Sequence, residues 1–286
     1  MKLKKRIFIY IFLFIFVQLG AGFLTVFRAT HPTKIESNLS PQDLNLPFED
    51  ILMQTKDGLS ISGWFIPSPE STQSALIILH GYPAEKGDML FIAERFHSAF
   101  NILLIDFRYF GESEGDFTSL GQKEVLDLEA GLDFLSKRGF GEIYVLGFSM
   151  GGAVAIMQGE KDERINAVTA YAPFADLGII GKDAYARLPI LRDVLLSLMK
   201  FYAKTFWDIE TDNSPLRASR SFERPILLIH SRADEQIPFR HAELLKEALK
   251  ENEKAKFYFL NEGFHGELPL DFEERIKKFF LKHSRE

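Results

Sequence analysis

The segment Gly147-Phe148-Ser149-Met150-Gly151 follows the apolar run Ile143-Tyr144-Val145-Leu146 and runs on into Gly152. A serine in this setting fits a sharp strand-to-helix turn that lifts its hydroxyl clear of the backbone. Gly147 and Gly151 would then be bare so that strand and helix can approach. The N–H of Met150, opening the helix, would point at negative charge developing during attack on an acyl carbonyl. An ordinary βα turn is written with the same letters, so the pentapeptide acquires chemical meaning only through partners elsewhere in the chain.

A serine hydroxyl is a weak nucleophile at neutral pH and needs a base, which in turn needs an acid to hold its tautomer. The chain has seven histidines. His31 falls in a polar stretch and His283 near the end, both expected to be solvated. His97 sits late in an amphipathic helix and reads as a partner of the helix dipole or a surface position, and His241 opens a helix and reads as a surface position. His230 ends a strand and reads as a packed histidine near the site. His265 lies in Glu262-Gly263-Phe264-His265-Gly266, a glycine-flanked loop after the last expected strand. In a parallel sheet such loops gather at the carboxyl edge, the edge of Ser149. The acid expected on the same edge is Asp234, in the loop after Ile226–Ile229, with its neighbour Glu235 as the alternative. His80-Gly81-Tyr82-Pro83 follows another apolar run, and the N–H of Tyr82 would be a second oxyanion donor beside Met150. His80 itself reads as structural. Arg108 reads as a brace, pairing with a carboxylate to hold the loop after its strand.

These loops need a scaffold, and the pattern supplies one. From Phe48 onward strand and helix signals alternate, which predicts an α/β sheet. Residues 50–55 and 59–66 predict an antiparallel hairpin around Asp57-Gly58. Further strands are expected at 75–79, 101–106, 143–146, 167–171, 225–230 and 256–260. Helices are expected at 88–99, 122–135, after Ser149, at 240–249 and at 271–282. The alternation breaks at 177–207, where Leu191, Leu195, Leu196, Met199 and Tyr202 recur at helical spacing. This predicts a helical cap at about 177–212, with Ile190, Leu191, Leu195, Met199, Phe201 and Phe206 available to line an apolar acyl site.

The N-terminus is a separate object. Lys2, Lys4, Lys5 and Arg6 precede an uncharged apolar run over 7–27. As a helix this run spans roughly 30 Å, a bilayer core. The charge asymmetry places residues 1–6 in the cytoplasm and the domain outside the cell membrane. A cleaved signal peptide is the alternative, but the run stays apolar after Gly20-Ala21, which favours an uncleaved signal-anchor. Residues 28–47 read as a linker and 48–286 as one domain, with roughly 250 residues sufficing for a full core. The formal net charge of −6 with no basic stripe argues against nucleic acid. With no cysteines, disulfides, thiolate metal sites and a cysteine nucleophile are excluded.

Taken together, His80-Gly81, the loop Asp106–Gly115, Gly147–Gly152, His230 through Pro238 and Gly263–Gly266, in this order and each after a strand, resemble the α/β-hydrolase superfamily. More narrowly, the chain resembles bacterial relatives of the membrane-anchored α/β-hydrolase domain proteins, over about residues 48–282. The family's usual D-x-R-G-x-G pattern has glycine where this chain has Tyr109, which bears on the loop's shape. The resemblance implies an α/β-hydrolase fold: a mostly parallel eight-stranded sheet with helices on both faces and a helical cap. It implies a Ser149–Asp234–His265 triad acting on carboxylic esters through an acyl-enzyme, with no metal or organic cofactor. The substrate implied is a small-molecule or lipid-like ester. Peptide-bond cleavage, thioester hydrolysis and acyl transfer use the same scaffold. A non-catalytic, membrane-tethered binding protein is a further alternative, which has no need of all three triad members.

Overall fold

A computed structural model describes residues 2–35, 37–70 and 72–284. Eight strands form a single sheet: β1 (Glu49–Gln54), β2 (Ser60–Ile66), β3 (Ser74–Leu79), β4 (Asn101–Ile105), β5 (Glu142–Phe148), β6 (Ile165–Tyr171), β7 (Ile226–Ser231) and β8 (Ala255–Leu260). Their spatial order is β1-β2-β4-β3-β5-β6-β7-β8. β2 pairs antiparallel with both β1 and β4, and every other pair is parallel. The expected hairpin turns at Gly58, whose φ of +91° suits glycine, and the Gly58 amide donates to the Thr55 carbonyl.

The central strands are continuous apolar runs because both faces are covered. Every residue of β3, β4, β6 and β7 is buried. One face packs against α3 (Glu124–Lys137), α4 (Met150–Lys161) and α8 (Arg240–Ala248) through Leu128, Leu132, Ala153, Met157 and Leu245. The other packs against α2 (Leu90–Phe96) and α9 (Phe272–Leu281) through Ile92, Phe96, Ile276 and Phe280. The stretch after β6 holds α5 (Leu177–Ala184), α6 (Pro189–Trp207) and the short α7 (Pro215–Ala218).

The N-terminal helix α1 (Lys2–Thr30) is long and apolar enough to cross a membrane, and few residues of its apolar stretch are buried. Its last turns are docked on the domain. A Cβ at Gly22 would lie 3.0 Å from the Leu198 Cβ, so the bare glycine lets α1 approach α6 closely. Phe23 packs edge-on against Tyr202 and Phe206, and Phe27 stacks on His31 with ring centroids 4.3 Å apart. His31 also lies against Tyr109, Phe117 and Trp207, an aromatic setting where the sequence suggested a solvated one. The segment read as a linker is likewise tied down. The Thr118 amide donates to the Thr30 carbonyl, the Ser37 amide to Glu85, and Leu46 is buried.

Candidate active site

The strand order reverses its growth at β3, which lies between β4 and β5. Loops leaving β3 and β5 therefore emerge side by side at the carboxyl edge. Leu79 and Gly147 are register partners, so Gly81 and Ser149 both lie two residues beyond that pair. A Cβ at Gly81 would sit 3.2 Å from the Ser149 Cβ and 3.9 Å from its Oγ. The first oxyanion-loop candidate and the serine are thus in contact.

Ser149 has φ 51° and ψ −112°, a conformation that an L-residue rarely adopts. Strain of this kind costs of the order of 1–3 kcal/mol and persists only where its surroundings impose it. Here they do. The Ser149 amide donates to the Tyr171 carbonyl at 2.8 Å, and Met150 starts α4 directly afterwards. A Cβ at Gly147 would lie 2.2 Å from the Gly151 carbonyl oxygen, and one at Gly151 2.6 Å from the carbonyl oxygens of Leu79 and His80. These clashes are with backbone and have no soft neighbour to yield. Gly151→Ala is therefore expected to lower stability by about 1–3 kcal/mol and to push the β3 loop away from Ser149. Thermal unfolding measures the first effect, and the activity of the surviving folded protein the second.

Met150, as the first helical residue, has an N–H with no carbonyl partner inside α4. The Tyr82 N–H donates to no acceptor among the described residues. The loop bearing it is buttressed from below. The buried His80 accepts from the Phe107 amide at Nε2 (3.0 Å), and its Nδ1 donates to the Gly81 carbonyl (2.7 Å). Burial pushes the His80 pKa below its ordinary value, which keeps the ring neutral in this double role.

Asp234 and His265 leave the neighbouring strands β7 and β8 and meet. His265 Nδ1 donates to Asp234 Oδ2 at 2.7 Å. The other carboxylate oxygen, Oδ1, accepts from the amides of Gln236 (2.9 Å) and Ile237 (2.8 Å). Burial opposes the Asp234 charge, but the His265 bond and the two amides outweigh it and hold the carboxyl below its ordinary value. Glu235, the alternative acid, is exposed and accepts from the His265 backbone amide at 3.0 Å and from the Gln236 side-chain amide at 3.5 Å. His230 is buried beside the pair, donating from Nε2 to the Ile237 carbonyl at 2.9 Å. The Tyr171 hydroxyl donates to the Glu267 carbonyl, which fastens the His265 loop over β6 next to Ser149. Ser149 and His265 share no hydrogen bond among the described residues, and His265 Nε2 has no partner there. Such bonds commonly tighten only when substrate binds.

The depressed Asp234 pKa has a definite sign in stability. Its charge stabilises the fold above the unfolded value of roughly 3.9 and loses that contribution as pH falls through the lower folded value. The stability gap between the wild type and Asp234→Asn is therefore expected to be constant at neutral pH and to narrow below about pH 4. Urea midpoints of the two proteins across that range check this.

The loop after β4 is scaffold. The buried Arg108 pairs with Asp127 at 2.7 Å and with Asp57 of the β1–β2 turn at 2.7 Å. Asp106 is buried and pairs with Lys86 at 2.6 Å. Gly111, with φ +50°, leaves room for that carboxylate, since a Cβ there would lie 2.2 Å from Asp106 Oδ2. Tyr109, at the family's glycine position, has φ +75°, and its hydroxyl donates to the Pro32 carbonyl at 2.6 Å. The conformation that glycine would take freely is kept, and the side chain ties down the segment after α1.

Two further sequence readings change. His241 is fully buried, accepting from the Ala175 amide at 2.9 Å and lying 2.9 Å from Asp183 of α5. A helix-opening position gives no sign that an insertion will cover it. Of the six residues offered for an acyl site, only Met199 lines the large cavity beside the cap. Leu195 is buried, Phe201 and Phe206 are each 59 % exposed, and the Ile190 side chain lies outside the described residues. The sequence reading also missed the end of α1, where the Ala29 carbonyl accepts from the Tyr82 hydroxyl at 3.1 Å. Phe23, Phe27 and His31, four residues apart, stack along that helix face.

The family model described as Alpha/beta hydrolase family matches residues 76–255, and the chain belongs to this family. Among its relatives, the alpha/beta hydrolase domain-containing protein WAV2 of Arabidopsis thaliana is 27 % identical over 243 residues, covering 79 % of this chain and 75 % of that protein. YqkD of Bacillus subtilis is 30 % identical over 218 residues, covering 73 % and 70 %. An esterase of Pyrococcus furiosus superposes with a TM-score of 0.74 at 26 % identity, covering 89 % of this chain and 98 % of that one. The fold is the α/β-hydrolase fold with its mostly parallel eight-stranded sheet.

Proposed function

We propose that this protein is a membrane-anchored serine hydrolase that cleaves carboxylic esters with an apolar acyl or alcohol part. The observation that carries the reading is the Asp234–His265 hydrogen bond, formed on the sheet edge where Ser149 is held in a strained turn against the Gly81 loop. The similarity to an esterase over nearly the whole of both chains supports the same reaction class.

In this mechanism the Ser149 hydroxyl passes its proton to His265 Nε2 as Oγ attacks the ester carbonyl. Asp234 accepts the Nδ1 hydrogen, holds the tautomer and stabilises the imidazolium. The N–H groups of Tyr82 and Met150 receive the carbonyl oxygen as it becomes an oxyanion. His265 then protonates the departing alkoxide, leaving Ser149 acylated. Water, deprotonated by His265, attacks the acyl-enzyme, and the proton returns to Ser149 Oγ as the carboxylic acid leaves. Helix α1 anchors the domain, and Lys2, Lys4, Lys5 and Arg6 before its apolar stretch support an orientation with the N-terminus in the cytoplasm and the catalytic domain outside.

A series of nitrophenyl esters from acetate to decanoate, given to the full-length protein in membranes, tests the reading. Turnover that rises beyond acetate is the expected result. A sharp optimum at acetate contradicts the apolar substrate, and no turnover of any ester contradicts ester hydrolysis.

A further inference from the structure

A cavity of about 630 Å³ lies between the end of α1 and the cap helices α5 and α6. That size is within the range of about 300–1,000 Å³ common to small-molecule sites. Its walls include Val26 and Ala29 of α1, Leu177 and Ile180 of α5, and Met199 and Ala203 of α6. Val26 and Ala203 are buried and pack on Ile209, so one end of the cavity is walled by buried apolar side chains. The hydroxyl of Thr30, which also lines this space, is satisfied within α1 by donating to the Val26 carbonyl at 2.9 Å.

One hydrogen bond links the wall of the cavity to the loop of the candidate active site. Ala29 lines the cavity, and the Ala29 carbonyl holds the hydroxyl of Tyr82, whose own N–H is the proposed oxyanion donor. The cavity also lies at the outer end of the stretch of α1 that is apolar and long enough to cross a membrane. Counted from Ile7, a hydrocarbon core of roughly 30 Å takes about 20 residues of helix and reaches Val26. The part of α1 that touches α6 therefore overlaps the part that must lie in lipid. The exposed rings of Phe201 and Phe206 on α6, the latter packed on Phe23, continue the apolar surface of α1 onto the cap.

The structure assigns α1 a second role: its final turns form one wall of a site for the hydrocarbon chain of the substrate, loaded from the bilayer between α1 and the cap. This rests on the ester-hydrolase reading and adds the substrate class, a long-chain ester drawn from lipid. The membrane helix is then part of the substrate site as well as a tether.

The test fills the cavity from two sides. Ala203→Phe occupies its closed end, and Ser197→Phe narrows the exposed rim on α6. In wild type, kcat/KM is expected to rise with acyl length from acetate to decanoate. Either variant is expected to cut decanoate hydrolysis by about tenfold, the scale of losing two buried methylenes, with acetate hydrolysis unchanged. An undiminished long-chain advantage in both variants, with acetate still hydrolysed, overturns the proposal and leaves the hydrolase reading standing. A second arm needs no turnover. A long-chain fatty acid with a terminal diazirine is expected to form adducts at Val26, Met199 or Ala203, lost on adding unlabelled fatty acid and in Ser197→Phe. Adducts confined to the lipid-exposed residues Ile7–Leu19 overturn the proposal even if no ester is hydrolysed.

Discussion

Ser149→Ala is expected to lower ester turnover by roughly 10⁴- to 10⁶-fold, the scale seen when a triad nucleophile is removed. The magnitude follows from what is lost. Without Oγ the reaction has no acyl-enzyme, and water must attack directly with only the oxyanion donors and binding to help. The fold is expected to survive, because the turn is imposed by backbone contacts. The Ser149 amide still reaches Tyr171, and Gly147 and Gly151 still permit the close approach. Alanine at φ 51° bears the same strain as serine. Turnover measured beside a thermal unfolding curve separates loss of chemistry from loss of structure. Residual activity within tenfold of wild type removes Ser149 from the mechanism.

Asp234→Asn is expected to lower kcat by about 10⁴-fold with little change in KM. The asparagine side chain can still accept the Gln236 and Ile237 amides, so the loop keeps its place. Its amide nitrogen, however, donates where the carboxylate accepted. His265 must then carry its hydrogen on Nε2, and the atom required to take the serine proton has no lone pair free. Glu235→Gln is the control. Glu235 accepts from the His265 backbone amide and the Gln236 side-chain amide at an exposed position and does not touch the His265 ring, and its substitution is expected to change kcat by less than about tenfold. A large loss at Glu235 with a small one at Asp234 would reverse their roles.

The sheet and its loops were legible because their residues answer to local constraints. Buried parallel strands need continuous apolar runs, and Ile77, Leu103, Val145 and Val168 sit in such runs between glycine and proline breaks. The serine motif was legible because its glycines are demanded by backbone approach, as the 2.2 Å and 2.6 Å clashes at Gly147 and Gly151 show. What escaped depends on contacts between distant segments. Nothing local tells His241 that Ala175 and Asp183 will cover it. Helix α1 is apolar on every side, so its pattern alone does not separate the face that meets α6 from the faces left exposed. The cavity follows from that same docking, which is why five of the six side chains first offered to an acyl site do not line it or lie outside the described residues. Tyr109 escaped differently. The departure from glycine was visible, but its hydroxyl bond to Pro32 required a packed N-terminal segment that composition had assigned to a linker.

In the proposed function Ser149 is an activated nucleophile facing an acyl site. This is tested most directly by treating the full-length protein in membranes with a fluorophosphonate and locating the adduct by peptide mass spectrometry. A single stoichiometric adduct is expected on Ser149, absent in Ser149→Ala and strongly slowed in Asp234→Asn. No adduct, or labelling that persists undiminished in Ser149→Ala, would contradict it.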